Sequence, residues 1–352
     1  MTNRQEDDLL IEAEADEESV PQTHRLEFMQ YPADYTLRVL FDKWERGQLL
    51  IPNYQRGFVW SHTQASRLVE SFLLGLPIPQ IFLLQPYSGH TLEVVDGQQR
   101  LSTIAQFFSG DSPKWGKFPL RGVMAIWDGR TYSDLTLEDQ QTLDDAVLRS
   151  IIIRPVQREG VSSIYSIFER LNTGGTQLSA MEIRRAVCSK EAYAFLERLN
   201  CNSDWRGILG TNQPHPRLRD VELVLRVLSL TERWRDYKKP MKSFMTSYME
   251  HIDTLDQNSL TELEQSFSRT CELVKASLGD RPFHLRSQLN AAALDSVMAA
   301  CGGRSEISED QLTEAFGRLR EDEEFQQLVT HTTGTETAVR QRIELVGALL
   351  EQ

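Results

Sequence analysis

The densest group of chemistry-bearing residues lies in VVDGQQRLSTIAQFF, residues 94–108. A short apolar run delivers Asp96 and Gly97 into a tight turn, and helical spacing begins at once. Backbone N–H groups at a helix start carry the positive end of the macrodipole and favour phosphate oxygens. Gly97 lets a ligand approach the backbone, and Arg100 adds a planar donor fork one turn in. Asp96 suits a metal ion, a ribose hydroxyl or a water; the alternative is a plain turn in which Asp96 caps the helix. A second group is FERLNTGG, residues 168–175, where Asn172-Thr-Gly-Gly breaks a helix with residues suited to positive φ. Glu169, Arg170, Asn172, Gly174 and Gly175 form a polar knot there that suits a second anion-binding nest. A third segment, IPNYQRGFVW (51–60), sets Gln55 and Arg56 in an extended stretch beside aromatic residues.

The elements that must hold these groups are legible from periodicity. Leu37, Leu40, Phe41 and Trp44 recur at helical spacing before Gly47, and residues 63–74 repeat the pattern. LPIPQIFLL and LEVV read as strands, Leu101, Ile104, Ala105 and Phe108 as one helix face, and VMAIWDG (123–129) as a strand and turn. Residues 109–122 read as a loop, 136–146 as a polar helix and 147–156 as the most β-branched strand. Ser179 and Glu182 have capping-box spacing, which makes Glu182 a structural residue. After residue 160 no second sheet is expected, and the helix marked by Val221, Val224, Leu225 and Leu228 reads as buried all round. Arg184-Arg185, Arg217, Arg219 and Lys238-Lys239 read as helix surface, with Arg340 and Arg342 on the polar side of a closing helix. The chain of 352 residues therefore divides into an acidic disordered arm (1–25), a mixed α/β domain (26–200) and a helical domain (201–352).

Charge and composition restrict the function. Net charge is −13, and residues 1–25 hold eight acids against Arg4 and Arg25, so −7 falls on the rest. A global field of that sign does not draw DNA in, and any nucleic-acid contact needs a local basic surface. The four cysteines show no CxxC pair and the seven histidines no metal-binding spacing, so a zinc site or disulfide framework is not expected. No apolar run approaches the roughly 20 residues of a membrane span, and no signal peptide opens the chain, which points to the cytoplasm. There is no P-loop and no GxSxG elbow.

IPNYQRGFVW, LPIPQIFLL, VVDGQQRLSTIAQFF and FERLNTGGTQLSAMEIRRA, in this order, resemble the amino-terminal domain of the GmrSD-type restriction family. RLRDVELVLRVLSL and TGTETAVRQRI resemble its helical part. The resemblance implies an α+β fold: a ParB/sulfiredoxin-like mixed α/β amino-terminal domain followed by an all-helical carboxy-terminal domain. It implies a nucleotide site in which Asp96, Gln98, Gln99, Arg100 and Glu169 act in catalysis. Gln55, Arg56, Gly97, Arg100, Thr103, Arg170, Asn172, Gly174 and Gly175 would bind the nucleotide, and Asp96 with Glu169 would hold Mg²⁺. Full-length members carry an HNH nuclease domain; the carboxy-terminal histidines here, His251, His284 and His331, form no such cluster. The expected function is a nucleotide-binding, NTP-hydrolysing sensor of an anti-phage, modification-dependent restriction system. Its partners would be a nucleoside triphosphate with Mg²⁺, modified phage DNA, a separate nuclease subunit and a second copy of the chain. The alternatives are a non-hydrolysing adaptor that docks a nuclease, and a metal-dependent nickase acting alone.

Overall fold

The computed structural model describes residues 28–51, 58–86, 91–156, 165, 179–285, 288–304, 306–331 and 333–352. The acidic arm falls outside these residues. Contacts divide the chain into one unit ending at Leu178 and another running from Ser179 to Gln352. That division lies ahead of the 200/201 boundary expected from composition. The reason is packing: Tyr193, Phe195, Leu196 and Leu199 belong to the helical core.

The first unit runs β1 (Phe28–Thr36), α1 (Leu37–Glu45), β2 (Leu49–Leu50), α2 (His62–Leu73), β3 (Ile81–Leu84), β4 (Leu92–Asp96) and α3 (Gln98–Ser109). A small hairpin, β5 (Asp111–Ser112) and β6 (Gly116–Lys117), precedes α4 (Leu137–Asp145) and β7 (Val147–Pro155). One sheet has the order β1-β7-β3-β4-β2, with β7/β3 and β4/β2 parallel and the other pairs antiparallel. Ser61 and Gln64 start α2 with a capping box, and Thr36 caps α1. Leu37, Leu40 and Phe41 of α1, Ala65, Leu68 and Phe72 of α2, and Leu101, Ile104 and Phe108 of α3 pack on Ile81, Leu83, Val94, Leu148 and Ile152. The helices thus bury one sheet face. Leu84, Val95 and Ile153 are buried outside that cluster.

Two expectations for this unit change. The strand expected at 123–129 is a series of turns. Trp127 and Asp128 donate backbone N–H bonds to the Met124 carbonyl, and Asp128 Oδ1 accepts from the Gly122 N–H. Local bonds satisfy the backbone, and only Trp127 is buried while Met124 and Ile126 are exposed. The loop expected at 109–122 contains the β5–β6 hairpin, too short to leave a periodic signal.

The second unit is helical, and among its described residues there is no β-strand. After α5 (Ala180–Val187), α6 (Lys190–Asn200) and α7 (Ser203–Leu209) come α8 (Arg219–Arg233), α9 (Met241–Ile252) and α10 (Gln257–Leu278). The chain closes with α11 (Ala291–Gly302), α12 (Glu309–Glu321), α13 (Glu323–Thr330) and α14 (Glu336–Leu350). The capping box at Ser179 and Glu182 is present. As expected, α8 is buried on most sides, and it packs against the alanine-rich α11. Buried charge runs through this core. Asp295 accepts from Arg226 Nε at 2.6 Å and from Arg342 Nη2 at 3.0 Å, and Asp295 and Arg342 have no exposed surface. Arg184 is likewise enclosed, donating to Glu222 at 2.8 Å. Arg184 and Arg342 are therefore interior ion-pair members rather than helix surface: each finds a carboxylate that offsets its desolvation. Of the cysteines, Cys271 and Cys301 are buried, Cys201 is exposed, and all are free.

Candidate functional site

β4 and α3 meet at Gly97, and the geometry of that junction follows from three contacts. Gly97 has φ 100° and ψ 12°, and it caps α3 without a side-chain bond. A Cβ on Gly97 would lie 2.2 Å from Ile81 Cγ2 and 2.8 Å from Ile81 Cβ. Glycine is needed here because β3 presses on the turn. Ile81 fills the side of Gly97 on which a Cβ would stand, so packing alone accounts for the glycine.

The Arg100 guanidinium turns back over the same loop. Nη1 donates to the carbonyls of Pro79 and, at 3.3 Å, Gln80, and Nη2 donates to Asp96 Oδ2 at 3.0 Å. Its side chain is 14% exposed, against 32% for Asp96. Burial pulls the Arg100 pKa down, and the neighbouring Asp96 charge opposes that shift. The fork therefore ties the LPIPQI segment and the Asp96 carboxylate to the first turn of α3.

Gln99 makes the third tie. Its Oε1 accepts the N–H groups of Val59 at 3.0 Å and Trp60 at 3.3 Å. Lys114 of the hairpin turn holds the same segment from the other side, donating Nζ to the Trp60 carbonyl at 2.8 Å and the Val59 carbonyl at 3.3 Å. His62 stacks on Trp115 at 4.4 Å beside it, with Nε2 against the Pro119 carbonyl at 2.6 Å, and burial lowers its pKa. Three of the quoted segments thus interlock at the start of α3. Gln55 and Arg56 of the first, and Glu169, Arg170, Asn172, Gly174 and Gly175 of the fourth, lie outside the described residues.

Thr103 leaves the expected ligand set. It is fully buried, and its hydroxyl donates to the Gln99 carbonyl at 2.7 Å, one turn back in α3. Asp96 is not the helix cap that the plain-turn alternative required, because Gly97 occupies that position.

Sequence reading missed Glu93. Cross-strand partners share a sheet face, and Glu93 is opposite Leu84 while Asp96 is opposite Phe82. Simple alternation would put positions 93 and 96 on opposite faces, but the register shifts between Phe82 and Leu83. The irregularity re-phases β4, so Glu93 and Asp96 present to the same face. Burial raises the Glu93 pKa. The signal was a lone acid inside an otherwise apolar LEVV strand. Among the described residues no group of three potential ligands could hold a metal ion.

A five-stranded mixed sheet, covered by helices and ending one central strand in an acidic, left-handed glycine turn, defines the class: an α/β domain built around a strand–turn–helix site. Residues 37–188 match the model of the GmrSD restriction endonuclease, N-terminal domain, and this part of the chain is a domain of that family. The match reaches through α5 into the second unit. The match implies a role in a restriction system for this domain. No curated protein matches the chain. Among the described residues no helix is long and apolar enough to cross a membrane.

Proposed function

We propose that this chain is a nucleotide-binding, NTP-hydrolysing sensor and regulatory subunit of a bacterial modification-dependent restriction system. One arrangement carries the reading: β4 brings Asp96 to the amino-terminal end of α3, where a helix dipole favours phosphate and Arg100 holds the carboxylate in place. Phosphoryl transfer depends mainly on positioning and charge neutralisation. A carboxylate of fixed orientation beside a positive helix end supplies both. Asp96 orients the attacking water, and Arg100 acts through Asp96 as a positioning residue.

Mg²⁺ in nucleotide sites usually takes one or two carboxylates plus substrate phosphates. Asp96, with Glu93 on the same sheet face, fits that donor set, and the ion would neutralise charge on the phosphates. Modified phage DNA would be the trigger and a separate nuclease subunit the output. The experiment is NTP turnover by the purified chain and by Asp96→Asn. We expect turnover to fall by about a hundredfold or more, the scale of lost electrostatic stabilisation, with nucleotide binding retained by calorimetry. Equal turnover in both proteins removes the proposal.

One observation favours the non-hydrolysing adaptor as a second reading. Arg100, the group most suited to developing phosphate charge, bonds to protein carbonyls and Asp96 instead. Calorimetric binding of a triphosphate without product release by the wild-type chain would select that reading.

A further inference from the structure

The helical unit carries a basic corner where α8 passes into α9. Residues 233–242 read RWRDYKKPMK, with Arg233, Arg235, Lys238, Lys239 and Lys242 against Asp236, a local charge of +4 in a chain of net −13. Arg235, Lys238, Lys239 and Lys242 are exposed. Lys238 and Lys239 lie in the loop between a 3₁₀ turn (Trp234–Asp236) and α9, and not on a helix surface as the sequence suggested.

Two observations set this corner apart from ordinary solvated charge. The first is pairing. Several exposed or half-buried cations elsewhere in the unit sit against carboxylates: Arg198 on Glu264, Lys275 on Asp280, Arg304 on Glu351 and Arg318 on Glu314. Those without a carboxylate among the described residues, such as Lys190, Arg269 and Arg320, lie far apart in the sequence, whereas three fall here within five residues. Among the described residues Arg235, Lys238 and Lys239 make no ion pair. Glu232, just before the corner, accepts from the Tyr248 hydroxyl at 2.7 Å. Adjacent unpaired cations repel one another, and a polyanion relieves that repulsion.

The second observation is rigidity. Tyr237 is fully buried, its hydroxyl donates to the Gly334 carbonyl at 2.7 Å, and its ring meets Phe244 edge-on at 5.1 Å. The residue directly before the two lysines is therefore fixed in the core. Arg235 stacks over Trp234 at 4.3 Å, which spreads its plane along the surface. A fixed backbone removes the main-chain share of the ordering cost on binding and leaves only the side-chain rotamers to be ordered.

We propose that this corner is a phosphate-contacting surface for duplex DNA, with Arg235, Lys238 and Lys239 neutralising the backbone. The inference rests on the reading of the chain as part of a DNA restriction system, and it supplies the local basic surface that the acidic overall charge makes necessary. Contacts of this kind fix position on the duplex and carry no base specificity.

The test is fluorescence anisotropy of a short labelled duplex with the full chain, titrated in NaCl from about 50 to 200 mM without nucleotide. The variant is R235Q/K238Q/K239Q; the control R269Q/R320Q/K190Q removes the same charge from exposed positions elsewhere in the helical unit. Each lost phosphate contact lowers the slope of log K against log salt by about 0.9, so the triple variant should lose about 2.7 in slope and, near 0.1 M salt, roughly 500-fold in affinity. The control should keep the wild-type slope, and all three proteins should melt together. An unchanged slope in the corner variant, or an equal loss in the control, overturns the assignment while the restriction reading stands. A wild-type chain that binds no duplex likewise overturns the assignment, and leaves the NTP-turnover test of the proposed function standing on its own. If the variant loses binding to polyglutamate but not to DNA, the corner takes an acidic protein and the assignment fails.

Discussion

Gly97→Ala separates two views of the central turn: glycine as the gap through which a phosphate reaches the backbone, and glycine as the only residue that fits against Ile81. The added methyl would sit 2.2 Å from Ile81 Cγ2 at a backbone φ of 100°. That φ lies past the left-handed well near 57°, so alanine has no comfortable state to relax into. A left-handed residue with a Cβ is disfavoured by about 1–2 kcal/mol. Overpacking in a closed core adds about 1–3 kcal/mol. Stiffening of the unfolded chain returns about 0.4–1 kcal/mol. The net expectation is about 3 kcal/mol of destabilisation, which at ordinary urea m-values moves the midpoint of this unit down by ~1–2 M. Urea unfolding followed by tryptophan fluorescence reads it, since Trp44, Trp60, Trp115 and Trp127 all lie in this unit. Ile81→Ala removes the clashing Cγ2, so the double variant should fall short of the sum of the singles by roughly the overpacking share, about 1–2 kcal/mol. A Gly97→Ala protein that unfolds with the wild type yet no longer binds nucleotide would refute this reasoning and restore the ligand-gap view.

Gln99→Leu should lower stability by about 1–2 kcal/mol through the two N–H groups left without their acceptor, while Gln99→Glu, which keeps an acceptor oxygen, restores most of it in the same unfolding assay. Asp295→Asn leaves Arg226 and Arg342 buried beside an uncharged amide, so the helical unit should lose about 3–5 kcal/mol by calorimetric melting; Arg198→Ala, which breaks a solvent-exposed pair, should change it by less than about 1 kcal/mol. Glu93 has its folded pKa raised above the unfolded value by burial, so the folded state holds the extra proton. Its contribution is full below the unfolded pKa, about 4.3, and is lost as pH rises through the folded value. Glu93→Gln should therefore gain stability over the wild type between mildly acid and neutral pH, read as diverging melting temperatures; parallel curves would mean that Glu93 is solvated.

The helices and main strands were readable because their periods are long and their faces one-sided. Leu101, Ile104 and Phe108 mark α3, and the Ile151–Ile153 run marks β7. What failed was decided by single contacts. The 123–129 segment has a strand's composition, yet one carboxylate, Asp128, holds Gly122 and closes the backbone into turns. Arg184 and Arg342 have the residue type of a surface and the position of a core, and only Glu222 and Asp295, distant in sequence, reveal why. The domain boundary lies earlier for the same reason: the helix at Lys190–Asn200, expected in the first domain, has an apolar face that belongs to the other core. At the site, Asp96 and the glycine turn were legible, whereas the re-phasing that turns Glu93 to the same face depends on a register shift that period-two reading cannot see.

The DGQQR turn is built mainly as a clamp on its own surroundings. Gly97 is fitted to Ile81, Gln99 holds residues 59 and 60, Arg100 holds residues 79, 80 and 96, and Thr103 closes back on Gln99. Replacing any of these residues would loosen the turn through these contacts alone. A loss of turnover on mutating Arg100 is therefore weak evidence that Arg100 meets phosphate. Positional precision has a chemical use, since a displacement of about 1 Å in a reacting group can cost a hundredfold in rate. Three side-chain ties and the Gly97–Ile81 packing contact fix the turn that carries Asp96. On the proposed reading the groups left to meet a substrate would be few: the Asp96 carboxylate, Glu93 on the same face and the positive end of α3. In that proposal the protein would supply orientation and one acidic face, and a phosphate-bearing partner with its counter-ion would bring the rest of the charge.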